Sequence, residues 1–453
     1  MRLLQSDKSP AATRNLQLDF FRGVALLVIF INHMPGNPWS YYTPSRLGPS
    51  DAAELFVFLS GFAAALAYGR VFQQAGILPG TARILYRCAQ IYAAHLCLFL
   101  LMVTILAAAI SLGVTHNRWQ MDNLLYFFDQ TQPALLALVS LKFVPNFIDI
   151  LPMYLLIMLW IPVMWMMARL NAALAVAFSI ALYLAAWQFG WELSADPTSN
   201  KSWYFNPFCW QLVFFSGFAF SSGWLPVPRF HKGLFGICIV FALFCYPFGS
   251  DLYTYFPVLT VVHDICAPLL DKSHLGLIRF LHFLSLTYLT CYITSQRPHW
   301  LQTGISRTIV AMGRQSLPVF ILGSGLSFIG GMLLDETAPN SINSAWINLA
   351  GIVCMILWAQ LLNWLEQKPW KNSLKTLSPA PLNNWTHQAA TAIALLGLSL
   401  LPLLWLQPPS TPIDMAKNTT AKLPANQQED PALNTEDTAM QTPGDRPEAA
   451  HTL

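Results

Sequence analysis

The chain has 453 residues, of which 55% are hydrophobic and 10% are charged. A soluble globular domain usually carries about 25% charged residues, so this composition excludes an ordinary soluble protein and indicates a membrane protein. The 25 basic and 22 acidic residues give a net charge of +3, a balance too even to suggest a nucleic-acid partner. The cysteines show no C-x-x-C pair and no metal-ligand spacing, so we expect no metal site.

Apolar runs long enough to cross a bilayer recur along most of the chain. A hydrocarbon core about 30 Å thick needs roughly 20 mostly apolar residues in a helix. We therefore predict an all-α, polytopic membrane helix bundle with about eleven transmembrane helices, within a range of ten to twelve. The predicted spans are residues 16–34, 52–72, 84–112, 147–168, 172–190, 207–225, 233–249, 276–296, 315–334, 345–365 and 387–407. A shorter apolar stretch at 256–270 could be a re-entrant segment, an interfacial segment or a twelfth span.

The two ends of the chain differ from the predicted bundle. Residues 1–15 form a basic leader, and no small-residue cleavage site follows the first span, so we expect a retained anchor rather than a signal peptide. Lys and Arg concentrate in alternate connections, which predicts a cytoplasmic N-terminus. Residues 16–407 form the predicted membrane-embedded domain. Residues 408–453 are polar, rich in proline and acidic, and we predict that this tail is disordered.

The first span carries three ionisable residues, and such groups are costly inside apolar spans, which makes them functional candidates. Arg22 and His33 are separated by about three helical turns, so they share a face and lie roughly 16 Å apart along the axis. Asp19 lies about one turn before Arg22. An interfacial ion pair between Asp19 and Arg22, with Arg22 as an anchor, is an equally good interpretation of those two residues.

The second span opens with two carboxylates, Asp51 and Glu54, whose spacing places both on one side of a helix. They could simply cap that helix, with Asp51 at the N-cap and Glu54 completing a capping box. The short preceding loop also returns the chain close to His33. A carboxylate there would fix the tautomer of the imidazole and raise its basicity. The functional interpretation is the one we favour.

Polar residues at the starts of later spans are weaker candidates. Asp149 opens the fourth span, where it could serve only as an N-cap. Asn206 and Trp210 could line a sugar site or belong to an interfacial aromatic belt. Arg279 and His282 could mark a second polar spot in the bundle, although snorkelling would explain Arg279 as well.

Together these motifs resemble those of a known family. Leu18-Asp19-Phe20-Phe21-Arg22-Gly23, with His33 on the same helix, is similar to the first-helix signature of the acyltransferase-3 superfamily of membrane O-acyltransferases. The combined segments resemble the OpgC branch of that superfamily, which is named for succinyl transfer to periplasmic glucans, over about residues 15–365. The segments concerned are 35–38, 50–61, 145–152 and 205–208.

The resemblance implies a multi-pass enzyme of the bacterial inner membrane that moves an acyl group, with succinyl favoured, from acyl-CoA to a periplasmic glucan or related carbohydrate. The expected partners are the lipid bilayer, succinyl-CoA or acetyl-CoA as co-substrate, and a carbohydrate acceptor. No bound cofactor is expected. As a hypothesis, His33 is the general base, and Asp51 or Glu54 orients it. The donor would contact Arg22 and Asp19, and the residues assigned to the acceptor are Asn37, Asp149, Asn206 and Trp210.

Three other functions compete with this one. The same chemistry could acetylate another envelope polysaccharide or a lipid, and nothing in the sequence excludes that. A transporter should show paired repeats with broken helices at matching positions, and none is evident by eye. A non-catalytic sensor should have lost Arg22 or His33, and the chain keeps both. We therefore favour an enzyme.

Overall fold

The computed structural model describes residues 16–114, 124–295, 300–301, 304–337 and 340–370. Within these ranges the secondary structure consists of α-helices and three short 3₁₀ helices (Pro38–Tyr42, Pro44–Arg46 and Leu252–Tyr255), with no strand, which confirms the all-α prediction. The α-helices are α1 (Leu16–Asn32), α2 (Ala52–Ala75), α3 (Ile77–Ser111), α4 (Leu125–Asp129), α5 (Thr131–Val139), α6 (Ile150–Leu170), α7 (Ala172–Phe189), α8 (Pro207–Ser222), α9 (Lys232–Gly249), α10 (Pro257–Leu270), α11 (Leu277–Ser295), α12 (Gly304–Arg314), α13 (Ser316–Thr337) and α14 (Ser341–Glu366).

Among the described helices, 8 are long and apolar enough to cross a membrane, which indicates a multi-pass membrane protein. They are α2, α3, α6, α7, α9, α11, α13 and α14. Two further predicted spans are helical but shorter than predicted, since α1 has 17 residues and α8 has 16. The last predicted span, 387–407, lies outside the described residues, as do the leader 1–15 and the tail 408–453. The count of about eleven spans stays a prediction.

Two boundaries differ from the sequence-based expectation. Helix α3 begins at Ile77 rather than at residue 84, because Pro79 falls in its first turn, where a missing N–H breaks no helical hydrogen bond. The break from α2 is made by Gly76, whose φ of +88° suits glycine. The apolar stretch at 256–270 forms α10, whose 14 residues span roughly 21 Å, too little for a full crossing.

Helices α2 and α8 touch backbone to backbone. A β-carbon on Gly61 of α2 would overlap the carbonyl oxygen of Phe214, and one on Gly217 of α8 would overlap that of Phe58. Small residues allow such approaches in membrane bundles, where the hydrophobic effect does not drive helices together. This reciprocal pair of glycines fixes α2 directly against α8.

A second close crossing joins α1 to α12. A β-carbon on Gly23 would overlap the carbonyl oxygen of Ile309, and one on Gly313 would overlap that of Asp19. Both crossings feed one continuous hydrophobic core, to which α1, α2, α3, α6 and α8 all contribute buried side chains. The first two helices carry most of the predicted catalytic and donor-binding residues, and each is therefore held by one glycine crossing.

The glycine crossing of α2 and α8 can be tested by adding one methyl group. We expect Gly217→Ala to destabilise the protein by about 1–3 kcal/mol, because the two helices must separate to admit the β-carbon. The matched control is Gly236→Ala in α9, since a β-carbon there meets no atom within 4 Å. Thermal unfolding in detergent measures both variants. Equal unfolding temperatures for the two variants would contradict the proposed contact.

Candidate active site

Asp51 and Glu54 form the capping box that begins α2. Asp51 Oδ1 accepts a hydrogen bond from the Ala53 N–H at 2.8 Å, and Glu54 Oε2 accepts one from the Asp51 N–H at 2.8 Å. The capping interpretation of these residues is therefore confirmed. The capping box uses only one oxygen of each carboxylate, which leaves the second oxygen of each side chain for another partner.

Those second oxygens bind two cations from a distant part of the chain. Asp51 Oδ2 accepts hydrogen bonds from Lys272 Nζ at 2.6 Å and from Arg279 Nη2 at 3.0 Å. Glu54 Oε1 accepts one from Arg279 Nε. We call Asp51, Glu54, Lys272 and Arg279 the charge cluster. Two acids and two bases make it neutral when all four are ionised.

The four members of the charge cluster are buried to different degrees. The exposed fraction of the side chain is 0% for Glu54, 7% for Arg279, 17% for Asp51 and 29% for Lys272. Burial alone would raise the pKa of Asp51, but the charges of Lys272 and Arg279 hold it below its usual range. Burial would likewise lower the pKa of Lys272, but facing Asp51 raises it. Both groups therefore stay ionised, and Lys272 is the member most open to a ligand.

The short connection that presents Lys272 is held by donors from α7 and α8. The Trp210 indole N–H donates to the carbonyls of Lys272 and Ser273 at 3.0 and 3.2 Å. The Trp187 indole donates to His274 O at 3.0 Å, and the Tyr183 hydroxyl donates to Leu275 O at 2.9 Å. We call residues 271–276 the lysine loop. Its four consecutive carbonyls, from residue 272 to 275, all have donors.

His33 follows the last residue of α1 and lies within the electric field of the charge cluster. Its ring packs edge-on against Phe147, with the ring centroids 4.8 Å apart. Its Nδ1 atom is buried and has no hydrogen-bond partner among the described residues. Burial and then the Lys272 charge lower the pKa of His33 to about 4, against an opposing effect of Asp51. His33 is therefore a neutral imidazole at neutral pH.

Among the described residues, the expected hydrogen bond between His33 and Asp51 or Glu54 is not formed, and Asp51 acts on His33 only through its charge. The oxygens of both carboxylates are occupied by backbone N–H groups and by the two cations. The structure thus joins Asp51 and Glu54 to Lys272 and Arg279, and the charges of Lys272 and Asp51 act on His33. The catalytic role of His33, Asp51 and Glu54 stays a prediction.

The two residues predicted to bind the donor lie in the first half of α1, before His33. Arg22 Nη2 donates to the carbonyl of Leu59 in α2 at 3.3 Å. Asp19 is buried, and its Oδ2 lies 3.8 Å from Arg314 Nε at the end of α12. Arg314, which is far from Asp19 in the sequence, is thus a cation beside it. The ion pair of Asp19 with its neighbour Arg22 stays a prediction.

Three of the four residues predicted to bind the acceptor make structural hydrogen bonds. The side-chain amides of Asn37 and Asn348 bond each other reciprocally at 2.9 Å. Asn206 caps α8 through the Phe208 N–H and donates to Trp191 O at 2.7 Å. Trp210 is fully buried beneath the lysine loop. Acceptor binding by these residues stays a prediction, and the contacts shown here hold the site in shape.

Asp149, the fourth predicted acceptor residue, is buried beside the same site. It precedes α6, but its side chain caps no helical N–H. Burial raises the pKa of Asp149 to about 7, and Lys272 is among the charges that oppose the rise. Phe147, two residues earlier, has a φ of +72°, which a bulky residue rarely adopts. That turn directs its ring to His33.

Sequence reasoning missed Lys272 and undervalued Arg279 and His282. His282 Nδ1 is hydrogen-bonded to Ser50 Oγ at 2.7 Å, and both side chains are buried. This contact ties the loop before α2 to α11. The i, i+3 spacing of Arg279 and His282 was the available signal, since both project from one face of an apolar helix. No such pattern indicated Lys272, because lysine is common in the connections between helices.

Comparison with protein families gives one match. The model of a family described as OpgC protein matches residues 14–367. This range includes every residue of the charge cluster together with His33. No curated protein and no solved structure gives a significant match.

Because Glu54 and Arg279 form a buried ion pair, we predict that their contributions to the free energy of unfolding are strongly coupled. We expect Arg279→Met to destabilise the protein by about 3–5 kcal/mol, because it leaves a buried carboxylate without its cation. The double variant Glu54→Met/Arg279→Met keeps the neutral pair of Asp51 and Lys272. Its loss should therefore be smaller than the sum of the two single losses. Chemical unfolding in detergent measures all three variants, and additive losses would refute the coupling.

Proposed function

The chain belongs to the OpgC family, and from this membership we propose that it is a membrane O-acyltransferase that moves an acyl group, with succinyl favoured, from acyl-CoA to a periplasmic glucan. The site geometry supports an enzyme of this class. The observation that carries the proposal is the neutral, partly exposed imidazole of His33 beside a buried, neutral charge cluster. Such an imidazole can take a proton from a sugar hydroxyl.

The reaction needs one base and one leaving thiol. His33 removes the proton of the acceptor hydroxyl while the hydroxyl oxygen forms a bond to the thioester carbonyl carbon. The C–S bond then breaks, and the imidazolium of His33 returns the proton to the thiolate of coenzyme A. Atoms and charge balance without a covalent enzyme intermediate. Asp51 stabilises the imidazolium through its charge rather than through a direct hydrogen bond.

The two ends of α1 suit substrates that arrive from opposite sides. Arg22 and His33 share a face of α1 and lie roughly 16 Å apart along it. Arg22 is anchored to α2 through Leu59 O, so its guanidinium has a defined position from which to contact a donor phosphate. His33 lies at the other end, next to loops that could receive a carbohydrate.

The proposal predicts that His33 is indispensable for acylation of the envelope glucan. We would delete the gene in its native host, complement it with wild type or His33→Ala, and analyse the glucans by mass spectrometry. Wild type should restore the succinyl substituents. His33→Ala should lower the transfer rate by about 10²–10⁴-fold, as expected for loss of a general base. His231→Asn is the matched control, since His231 is exposed and asparagine preserves its helix cap.

Each other result of that experiment has a distinct meaning. Full restoration by His33→Ala, at equal protein level, would refute the mechanism. Glucans unchanged by the deletion would refute the glucan as acceptor. The other envelope polysaccharides and lipids would then be analysed for lost acetyl groups, which is the alternative that the sequence leaves open.

The pH dependence of transfer tests the state of His33. Because its pKa is lowered from 6.5 to about 4, the imidazole is neutral above that value and becomes protonated only as the pH falls through it. We therefore expect the decrease in kcat/KM that reports His33 to be centred near pH 4, since kcat/KM reports groups of the free enzyme. Asp149, whose pKa is raised to about 7, can add a change near neutral pH, so the profile is measured in Asp149→Asn as well. A decrease centred at 6.5 that persists in Asp149→Asn would contradict the lowered pKa of His33. Activity measured again at pH ~7 after acid exposure controls for unfolding.

A further inference from the structure

Lys272 has hydrogen-bonding capacity that the charge cluster does not use. Its ammonium group has three N–H donors, and Asp51 accepts only one of them. The rings of Tyr204 and Phe205 lie 5.8 Å from Nζ. Arg279, by contrast, is 7% exposed and is committed to both carboxylates. Lys272 is therefore the cation of the cluster that can reach a substrate.

We propose that Lys272 is a catalytic residue of the acyl transfer, whose ammonium group donates a hydrogen bond to the acyl carbonyl oxygen as that oxygen becomes negatively charged. This inference rests on the proposed function and assigns a role beyond that of His33. It follows from the position of Lys272, whose side chain is 29% exposed and whose ammonium group is bound to Asp51 at the start of α2. The rings of Tyr204 and Phe205 flank that group. The effect of the Lys272 charge on the pKa of His33 supports this placement.

The step adds one interaction to the proton transfer already described. As the hydroxyl oxygen bonds to the carbonyl carbon, the carbonyl π electrons move to its oxygen, and the hydroxyl proton goes to His33. Lys272 donates one N–H to the resulting oxyanion and keeps its own proton. When the oxyanion re-forms the double bond, the C–S bond breaks and the thiolate takes the proton from His33. Lys272 is unchanged at the end.

The lysine loop makes Lys272 suitable for this role. Donors aimed in advance at a developing charge are effective because they need no reorganisation during the reaction. The carbonyls of residues 272–275 are held by Trp210, Trp187 and Tyr183, and Asn206 N–H adds a further bond to Ser273 O at 3.1 Å. Asp51 fixes the other end of the side chain. Lys272 is thus held both at its backbone carbonyl and at its ammonium group.

The charge of the cluster supports the same conclusion. When all four members are ionised their charges sum to zero, so a carbonyl oxygen that gains negative charge meets no net repulsion. Lys272 then offers a full positive charge in a partly buried site, where electrostatic interactions are stronger than in water. Burial, and then the same charge, keep His33 neutral, so its ring can accept a proton.

The test compares three lysine variants of the full-length protein in lipid nanodiscs, with succinyl-CoA or acetyl-CoA and purified glucan. Lys272→Met should lower kcat by about 10²–10³-fold, the usual effect of removing an oxyanion donor, with little change in KM. Lys272→Arg should retain more activity than Lys272→Met, because it keeps a charged donor. Lys142→Met, which removes an exposed lysine before α6, should leave both constants unchanged.

Two further measurements separate catalysis from structure. Lys272→Met should move the acid limb of the pH profile upwards, because the Lys272 charge no longer lowers the pKa of His33. If Lys272→Met proves unstable, Asp51→Asn/Lys272→Met removes the acid along with the base and keeps the cluster neutral. That double variant should still be about 10²-fold slower than Asp51→Asn alone.

The outcomes are distinguishable. A kcat for Lys272→Met within threefold of wild type, or a raised KM with unchanged kcat, would overturn the role of Lys272 and leave the proposed function standing. So would a double variant as fast as Asp51→Asn. Wild-type protein that transfers no acyl group from either donor would instead refute the proposed function, and His33→Ala that remains fully active would refute the role of His33 as the base.

Discussion

A carboxylate taken out of water must meet a cation close by, and Glu54 meets this requirement deep in the bundle. The cost of burying an unpaired ion is several kcal/mol, which is comparable with the whole stability of many proteins. Glu54 is completely buried in α2, and its cation is Arg279 in α11, 225 positions further along the chain. The beginning of α2 and the first turn of α11 are therefore held together by charge.

The same requirement extends from charges to the backbone of the lysine loop. Backbone carbonyls that leave water need internal donors, because an unpaired buried carbonyl costs free energy. Trp187, Tyr183 and Trp210 provide them, and each is a large side chain with one polar atom that itself needs a partner when buried. Donors and acceptors are thus satisfied together. The consequence is that α7 and α8, which contribute no charge to the cluster, set the position of Lys272.

Local rules explain how far the sequence could be interpreted. The capping box of Asp51 and Glu54 depends on residues within one turn, and the structure contains it as predicted. The cations that neutralise these acids come from beyond residue 270, so no local pattern could reveal them. Asp19 illustrates the same limit, because Arg314 lies beside it although the two residues are far apart in the sequence. The sequence suggested that Trp210 could stack on a sugar, because its burial beneath the lysine loop depends on residues far away in the chain.

Helices α1 and α8 are both shorter than the hydrocarbon core of a bilayer. Their 17 and 16 residues correspond to roughly 26 and 24 Å, less than a hydrocarbon core of about 30 Å. His33 follows the end of α1, and Phe205 and Asn206 precede α8 beside the lysine loop. His33 and the lysine loop therefore lie beside the ends of two helices that are each shorter than the hydrocarbon core. For the proposed acyl transfer this matters, because a shorter helix leaves less of the membrane between a donor bound near Arg22 and an acceptor hydroxyl at His33.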